Sequence, residues 1–338
     1  MTVRAGSAVG AAGPSPEPPG PAAVQPDPVQ FQTVPDRRDH PQEARVRRRT
    51  AATALVLAVV GLAACTAEPE VTGVVTVQGE AGSPPDLVYE EPLVVTEASV
   101  EVLAEGDGPE LVDGEPVLVD YYAEDGSDGT VVGETYSSEP KPYLLSAEAL
   151  GVAIHDALRG RTVGSRILHL VPPEGDRGGP TVAVYDILPT RAWGEPVEVR
   201  DGLPAVTLAD DGEPEVTVPE TAPPEDLVVQ PLLRGSGPQV QPGQVIIVQY
   251  KGVAWSDGTV FDSSWESGEL PTPFPIGVDS VLPGWDLGLV EQTVGSQVLL
   301  VVPPSLGFGA GDTELADETL VFVVDILAAR GGPTEVES

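Results

Sequence analysis

The segment Val281-Leu282-Pro283-Gly284-Trp285-Asp286-Leu287-Gly288 sets a tryptophan directly after Pro-Gly, where a short helix can begin, in a chain with only four tryptophans. A ring so large and so rare is either a core residue or the wall of a binding surface. Other residues that could carry chemistry fall away on spacing. Gly307-Phe308-Gly309-Ala310-Gly311 lacks the spacing of a phosphate-binding glycine loop, and no helical pattern follows it. Residues 124–129, EDGSDG, lack the ligand spacing and closing glutamate of a calcium loop, and read as a turn. His40, His155 and His169 show no metal-ligand spacing. With no metal or cofactor motif to anchor chemistry, the aromatic residues become the candidates.

The elements that must position them come in two copies. Residues 118–136 (LVDYYAEDGSDGTVVGETY) match 247–265 (IVQYKGVAWSDGTVFDSSW), 161–173 match 292–304 around Thr-Val-Gly-Ser, and 182–188 match 321–327. Repeats this long are tandem domains rather than a solenoid. Gln244 to Tyr250 form a β-branched run, Ser256-Asp257-Gly258 is a turn able to join two strands, and 297–302 and 319–327 are further apolar strand-like runs. Residues 281–291 are the only helix-like segment of the second copy. The predicted class is α+β: two domains, each a curved antiparallel sheet wrapped around one short helix. Residues 192–225, acidic and proline-rich, read as a linker or lead-in strand between a first domain at 85–191 and a second at 226–330, with 331–338 as a tail.

Charge and the N-terminal text suggest an address. A net charge of −36 over 338 residues opposes binding to a phosphate backbone, so nucleic acid is not an expected partner. Residues 1–44 read as a disordered extension, with translation expected to start later, for example at the codon of Val46. Arg45 to Arg49 supply four arginines ahead of a short apolar run, the pattern of a secretory signal over 45–64. Leu62-Ala63-Ala64-Cys65 resembles a bacterial lipobox, which implies that Cys65 is lipidated and that 65–84 is a linker leaving the outer face of the cytoplasmic membrane. Cys65 is the sole cysteine, so no disulfide can form within the chain.

In the second copy the motifs VQYKG, DGTVFDSSW, PFPIG, VLPGWDLGL, VGSQVLLVVPPSLGFGAG and TLVFVVDIL follow one another over 226–330. In that order they resemble the FKBP-type peptidyl-prolyl cis-trans isomerases. The resemblance implies a proline-binding pocket walled by Tyr250, Phe261, Val281, Leu282, Phe308 and Phe322 on a floor of Trp285, with Asp262 orienting side chains or meeting the rotating carbonyl. It implies that the Leu282 backbone N–H holds a substrate carbonyl and that no cofactor or metal takes part. Phe308 stands where the family usually has tyrosine, which implies weaker binding of macrolide ligands. Thr272 takes the first aromatic position of the family's PFxF segment, and Phe274 the second.

Taken singly, each residue also has an ordinary structural role. Trp285 and Phe322 could be core, Tyr250 a cross-strand packing partner and Asp262 a turn residue. The first copy puts Val132-Gly133, Ile154 and Ala183 where the second has Phe261-Asp262, Trp285 and Phe322, and so reads as a degenerate, non-catalytic domain. The expected function is X-Pro isomerisation in unfolded or proline-containing secreted or envelope polypeptides. The alternative is a lipoprotein or chaperone that binds proline-containing partners without turnover.

Overall fold

Residues 297–302 and 320–330 are apolar at nearly every position rather than at alternate ones, so strands built from them need cover on both faces. The computed structural model describes residues 71–332 except 73, 174, 176–177, 210, 267–269 and 310–312, and it supplies that cover. The signal segment and Cys65 lie outside the described residues.

The first sheet contains β1 (Ser99–Ala104), β2 (Pro116–Asp125), β3 (Thr130–Glu134), β4 (Lys141–Leu144), β5 (Arg166–Val171) and β6 (Thr181–Leu188). Their order is β1-β5-β6-β2-β3, with β4 also paired to β2. Two short helices, α1 (Ala147–Leu150) and α2 (Val152–Leu158), lie between β4 and β5. One helix is expected here; the segment is instead divided at Gly151, whose φ is 77°. Beyond a short edge strand at Glu195–Pro196 come β7 (Ala205–Leu208) and β8 (Pro214–Thr217), a hairpin. The second sheet follows, from β9 (Val228–Arg234), β10 (Val245–Ala254), β11 (Val260–Ser263), β12 (Thr272–Pro275), β13 (Gln297–Val302) and β14 (Leu320–Arg330), with α3 (Pro283–Leu289) before β13. Its order, β9-β13-β14-β10-β11 with β12 also on β10, repeats that of the first sheet, and a seventh, two-residue strand, Glu195–Pro196, pairs antiparallel with the outer edge of β9. Every strand pairing in both sheets is antiparallel.

The shared sequence motifs turn out to be shared hydrogen bonds. In the first domain the Thr162 hydroxyl donates to Gly106 O at 2.8 Å and Gly106 N–H donates to Ser165 Oγ at 3.0 Å. In the second, Thr293 donates to Gly235 O at 2.8 Å and Gly235 N–H to Ser296 Oγ at 2.9 Å. Thr-Val-Gly-Ser is thus a corner that staples the first strand of each sheet to the turn before β5 or β13. The approach is so close that a Cβ on Gly106 or Gly235 would stand 2.1 Å from the carbonyl oxygen of Val163 or Val294. The Ser-Asp-Gly-Thr turns are also matched. Asp128 and Asp257 each accept the N–H two residues on, at 3.0 and 2.9 Å.

On the inner face of the second sheet, Val298, Leu300, Val302, Phe322, Val324 and Ile326 pack with Trp285 and Leu289 of α3. On its outer face, Leu299, Val301, Val321, Val323, Val253 and Trp255 are covered by Leu203, Val206, Val216 and Val218, from the hairpin and its flanks. In the stretch 192–225, read from sequence as a linker or lead-in strand, Glu195–Pro196 pairs with the edge of β9 and the hairpin folds against the sheet, because those six side chains would otherwise face water at a cost of about 25 cal/mol per Å². Lys251 Nζ meets Glu213 Oε1 at 2.6 Å and the Trp255 indole N–H donates to Thr221 O at 3.0 Å, pinning the hairpin. Within the expected 65–84 linker, Thr76–Gln78 is likewise a strand. It pairs with Asp86–Val88, and Val77, Leu87 and Tyr89 cover Leu168, Leu170, Val182 and Val184 of the first sheet. Each repeat thus carries its own hairpin ahead of its first sheet strand.

A buried acid joins hairpin segment to sheet in both units. Asp186 accepts from the Arg166 Nε at 2.7 Å and from Gly82 N–H at 2.7 Å. Its counterpart Asp325 accepts from Ala192 N–H at 2.7 Å and from the Gln297 amide at 2.8 Å. With glutamine replacing arginine, burial wins over these donors and pushes the Asp325 carboxyl up to about 6.

Gly235→Ala is expected to lower unfolding stability by roughly 2 kcal/mol or more, read from urea midpoints, because backbone rather than a flexible side chain blocks the new methyl. Asp325 takes up its proton at higher pH in the folded than in the unfolded chain, so its contribution is full at low pH and lost as pH rises. The stability of the native chain relative to Asp325→Asn should therefore fall between about pH 3.8 and about pH 6 and level off above. A flat difference across that range would count against the assignment.

Candidate active site

The inner face of the second sheet closes on α3 except where aromatic side chains remain half exposed. α3 starts at Pro283, whose missing N–H is no loss in a first turn. No side chain caps it at Leu282; instead the Leu282 carbonyl accepts from Trp285 N–H at 2.8 Å and Asp286 N–H at 3.2 Å. Asp286 then fixes the preceding loop, accepting from Gly277 N–H at 2.6 Å and Asp279 N–H at 2.8 Å. Two glycines let the helix lie against β13. A Cβ on Gly284 would come 2.5 Å from Val302 Cγ1, and one on Gly288 2.7 Å from Leu300 Cδ2.

This sinks Trp285 to 4% exposure and surrounds it with rings. Its centroid is 5.3 Å from Tyr250, 5.2 Å from Phe274 and 5.3 Å from Phe322, at interplanar angles of 84°, 71° and 88°. Phe322 in turn meets Phe261 at 5.5 Å and 88°, and Phe261 meets Phe308 at 6.5 Å and 82°. Every contact is edge-to-face, the arrangement that sets a positive ring edge against a negative face. Trp285 and Phe322 are buried, whereas Tyr250, Phe261, Phe274, Val281, Leu282 and Phe308 are partly open around them. The result is a floor with an apolar rim. The Trp285 indole N–H is buried without a hydrogen-bond partner among the described residues. Asp262 is tethered at the rim, where its Oδ2 accepts from the Tyr250 hydroxyl at 2.9 Å. The Leu282 N–H, at the lip, donates to no group among the described residues.

All eight sequence-predicted pocket residues of the second domain therefore gather in one place. Three contributors were not in that set. Phe274 packs against both Tyr250 and Trp285, at 5.8 Å from the former, so the second aromatic of PFxF is a wall even though Thr272 has replaced the first. Asp286 holds the lip in register. Gly252 stands opposite both Phe322 and Asp262 in the sheet, and a Cβ there would lie 2.6 Å from Phe261 Cζ and 3.0 Å from Phe322 Cε1. The signal for Gly252 was present in VQYKG but is silent without knowledge of which rings flank it.

The first domain shows how the same fold closes the same place. Tyr143, at the position of Phe274, and Tyr185, at the position of Val324, are buried in its core at 7% and 3% exposure. Tyr185 is the added ring, packed with Ile154 and Ala183, which stand where the second domain has Trp285 and Phe322. Burial pushes the Tyr143 phenol up to about 12 and that of Tyr185 higher still. Tyr121 lies over Gly133, where a Cβ would come 3.2 Å from its ring. The position matching Phe261 is Val132, which is exposed.

Comparison with known proteins places this geometry. Residues 237–327, all within the second domain, match the family model of the FKBP-type peptidyl-prolyl cis-trans isomerases. An FK506-binding protein of Streptomyces anulatus is 42% identical over 120 residues, covering 34% of this chain and 96% of that relative. The chain belongs to the FKBP-type peptidyl-prolyl cis-trans isomerases. A probable FK506-binding protein of Corynebacterium glutamicum is 34% identical over 119 residues, 35% of this chain and 98% of that protein. The crystal structure of FkpA from Escherichia coli aligns at 31% identity with a TM-score of 0.30, over 40% of this chain and 54% of that one.

Gly252→Ala is expected to displace Phe261 from Phe322 and lower kcat/KM for an X-Pro peptide by about tenfold, with the far-UV circular dichroism unchanged. An unaltered kcat/KM would show that the Phe261 wall is not needed in that position.

Proposed function

We propose that the second domain binds proline-containing segments on Trp285 and speeds rotation about the X-Pro bond by taking it out of water. The amide's partial double bond sets a barrier of about 18–20 kcal/mol. Twisting removes amide resonance and with it charge separation, so the transition state is less polar than the ground state and is favoured by an apolar cleft. No nucleophile or metal is required for that. The observation that carries this reading is the half-open cage of edge-to-face rings, with Trp285 at its floor and Phe261, Phe308 and Tyr250 at its rim. The proline ring would sit on the indole, the Leu282 N–H would hold a substrate carbonyl, and Asp262, oriented by Tyr250, would face the rotating bond.

The clients we propose are secreted or envelope polypeptides, whose slow X-Pro steps limit folding on a scale of seconds to minutes. The four arginines, the apolar run and LAAC ahead of residue 66 support a lipid-anchored place outside the cytoplasmic membrane. A macrolide that mimics a twisted X-Pro segment is a further ligand, held less tightly than by relatives with tyrosine in place of Phe308.

The full chain should accelerate cis-to-trans isomerisation of an Ala-X-Pro-Phe peptide, and Trp285→Ala should reduce kcat/KM by on the order of tenfold or more. Binding of such a peptide with no acceleration over the uncatalysed rate would instead make the protein a proline-peptide binder.

A further inference from the structure

The hairpins cover only part of each sheet's outer face. At the other end, Leu118, Ile247, Leu327 and Ala328 are buried together, none more than 2% exposed, with Leu188 and Val245 packed against them. Leu118 and Leu188 belong to the first domain and pair with each other across β2 and β6; the others belong to β10 and β14 of the second. In the repeat alignment Leu118 is the counterpart of Ile247 and Leu188 that of Leu327. The two domains therefore meet through equivalent positions, the signature of an isologous contact between like units.

A charged pair also crosses the contact. The Arg330 guanidinium, at the end of β14, lies 3.0 Å from Asp120 Oδ2 across the contact. Asp120 is fully buried and also accepts from the Thr135 hydroxyl at 2.9 Å. This pair is not repeated, because the counterpart of Asp120 is Gln249; Arg191, the counterpart of Arg330, instead acts on Asp325 and favours its carboxylate. The connection between the domains is not slack either. Trp193 N–H donates to Gly295 O at 3.1 Å, and its ring covers Gly295 so closely that a Cβ there would stand 2.7 Å away.

What the first domain has kept and what it has lost now fall into place. It has lost the counterparts of Trp285 and Phe322 and buried Tyr143 and Tyr185 in its core, yet it presents Leu118, Leu188 and Asp120 on its outer face. We infer that the first domain is the fixed partner of the second in an internal pseudo-dimer, and that its function is to cover the sheet face around Ile247, Leu327 and Arg330. The partner this surface fits is an FKBP-like domain; the first repeat supplies it in the same chain. Its role is then structural support of the second domain rather than a second client site, and this holds whether or not the second domain turns over its ligand.

The chain contains its own reporters. All four tryptophans, at 193, 255, 265 and 285, lie in or beside the second unit, and six of the seven tyrosines lie between 89 and 185. Urea unfolding followed by tryptophan emission reports the second domain, and tyrosine near-ultraviolet circular dichroism is dominated by the first. In the native chain the two signals should change together. Leu118→Lys, placed wholly in the first domain, should separate them and lower the tryptophan midpoint by on the order of 1 M urea. Unfolding of the first domain by that substitution keeps the test intact, since the tryptophan signal then reports the second domain without its partner. Arg330→Ala, which alters only the second domain, should lower the tyrosine midpoint in the same way by leaving Asp120 buried and unpaired. Separate transitions in the native chain, or a tryptophan midpoint unmoved by Leu118→Lys, would overturn the inference. Isomerase rates enter none of these readings, so failure here is distinct from failure of the proposed activity.

Discussion

The rest of the structure depends on the double-sided burial of the two central strands, β13 and β14. Alternate residues from Gln297 to Val302 and from Leu320 to Ala329 point to opposite faces, and both faces are apolar. A sheet apolar on one side needs one layer of cover; this one needs two. The inner side is met by α3 and the aromatic cage. The outer side is met by the β7–β8 hairpin over one stretch and by the first domain over the other. The first sheet repeats the arrangement with its own hairpin. Features that look independent, an acidic proline-rich stretch, a second repeat and an arginine at the end of the last strand, are answers to that single constraint.

The cleft is the one part of the inner face where cover is deliberately incomplete. Its openness rests on small residues. Gly284 and Gly288 let the helix sink until Trp285 becomes a floor, and Gly252 leaves space for Phe261 to meet Phe322. The first domain is the internal control. Its helical segment, shared strand order and staples are retained, but Tyr185 adds a ring where the second domain has Val324, Tyr143 at the place of Phe274 is buried, and a rim residue is replaced by exposed Val132. Fold and pocket are thus separable: the hydrogen-bonded frame of Thr-Val-Gly-Ser and Ser-Asp-Gly-Thr specifies the fold, while ring placement decides whether a cleft stays open. Scarce cations serve the frame. Arg166, Lys251 and Arg330 each meet a carboxylate, which ties segments of a strongly acidic chain to one another.

Much of this was legible in sequence because motif order carries geometry. Tyr250, Phe261, Asp262, Trp285, Phe308 and Phe322 lie far apart in the chain, yet strand register and one helix bring them to one spot, as the resemblance of the motif order to the isomerase family implied. Phe274 was harder to place, since Thr272 breaks the PFxF pattern beside it. The hairpins were not legible. Val206, Val216 and Val218 alternate correctly, but Pro204, Pro214, Asp211 and Glu215 give the stretch the composition of a linker, and composition outweighs a short alternation when the surface it covers is unknown.

The sequence by itself determined the tandem repeat, the α+β class and the antiparallel strands, because those follow from local pattern, and its motif order pointed to the pocket-lining aromatics through resemblance to the family. Only the tertiary structure decided which faces of the strands needed cover and what covered them. It folded a stretch with the composition of a linker into an edge strand and a hairpin, turned Leu118 and Asp120 of one repeat into the partners of Ile247 and Arg330 in the other, and gave Gly252 its purpose. Burial is a property of two surfaces at once, and a sequence states only one of them at a time.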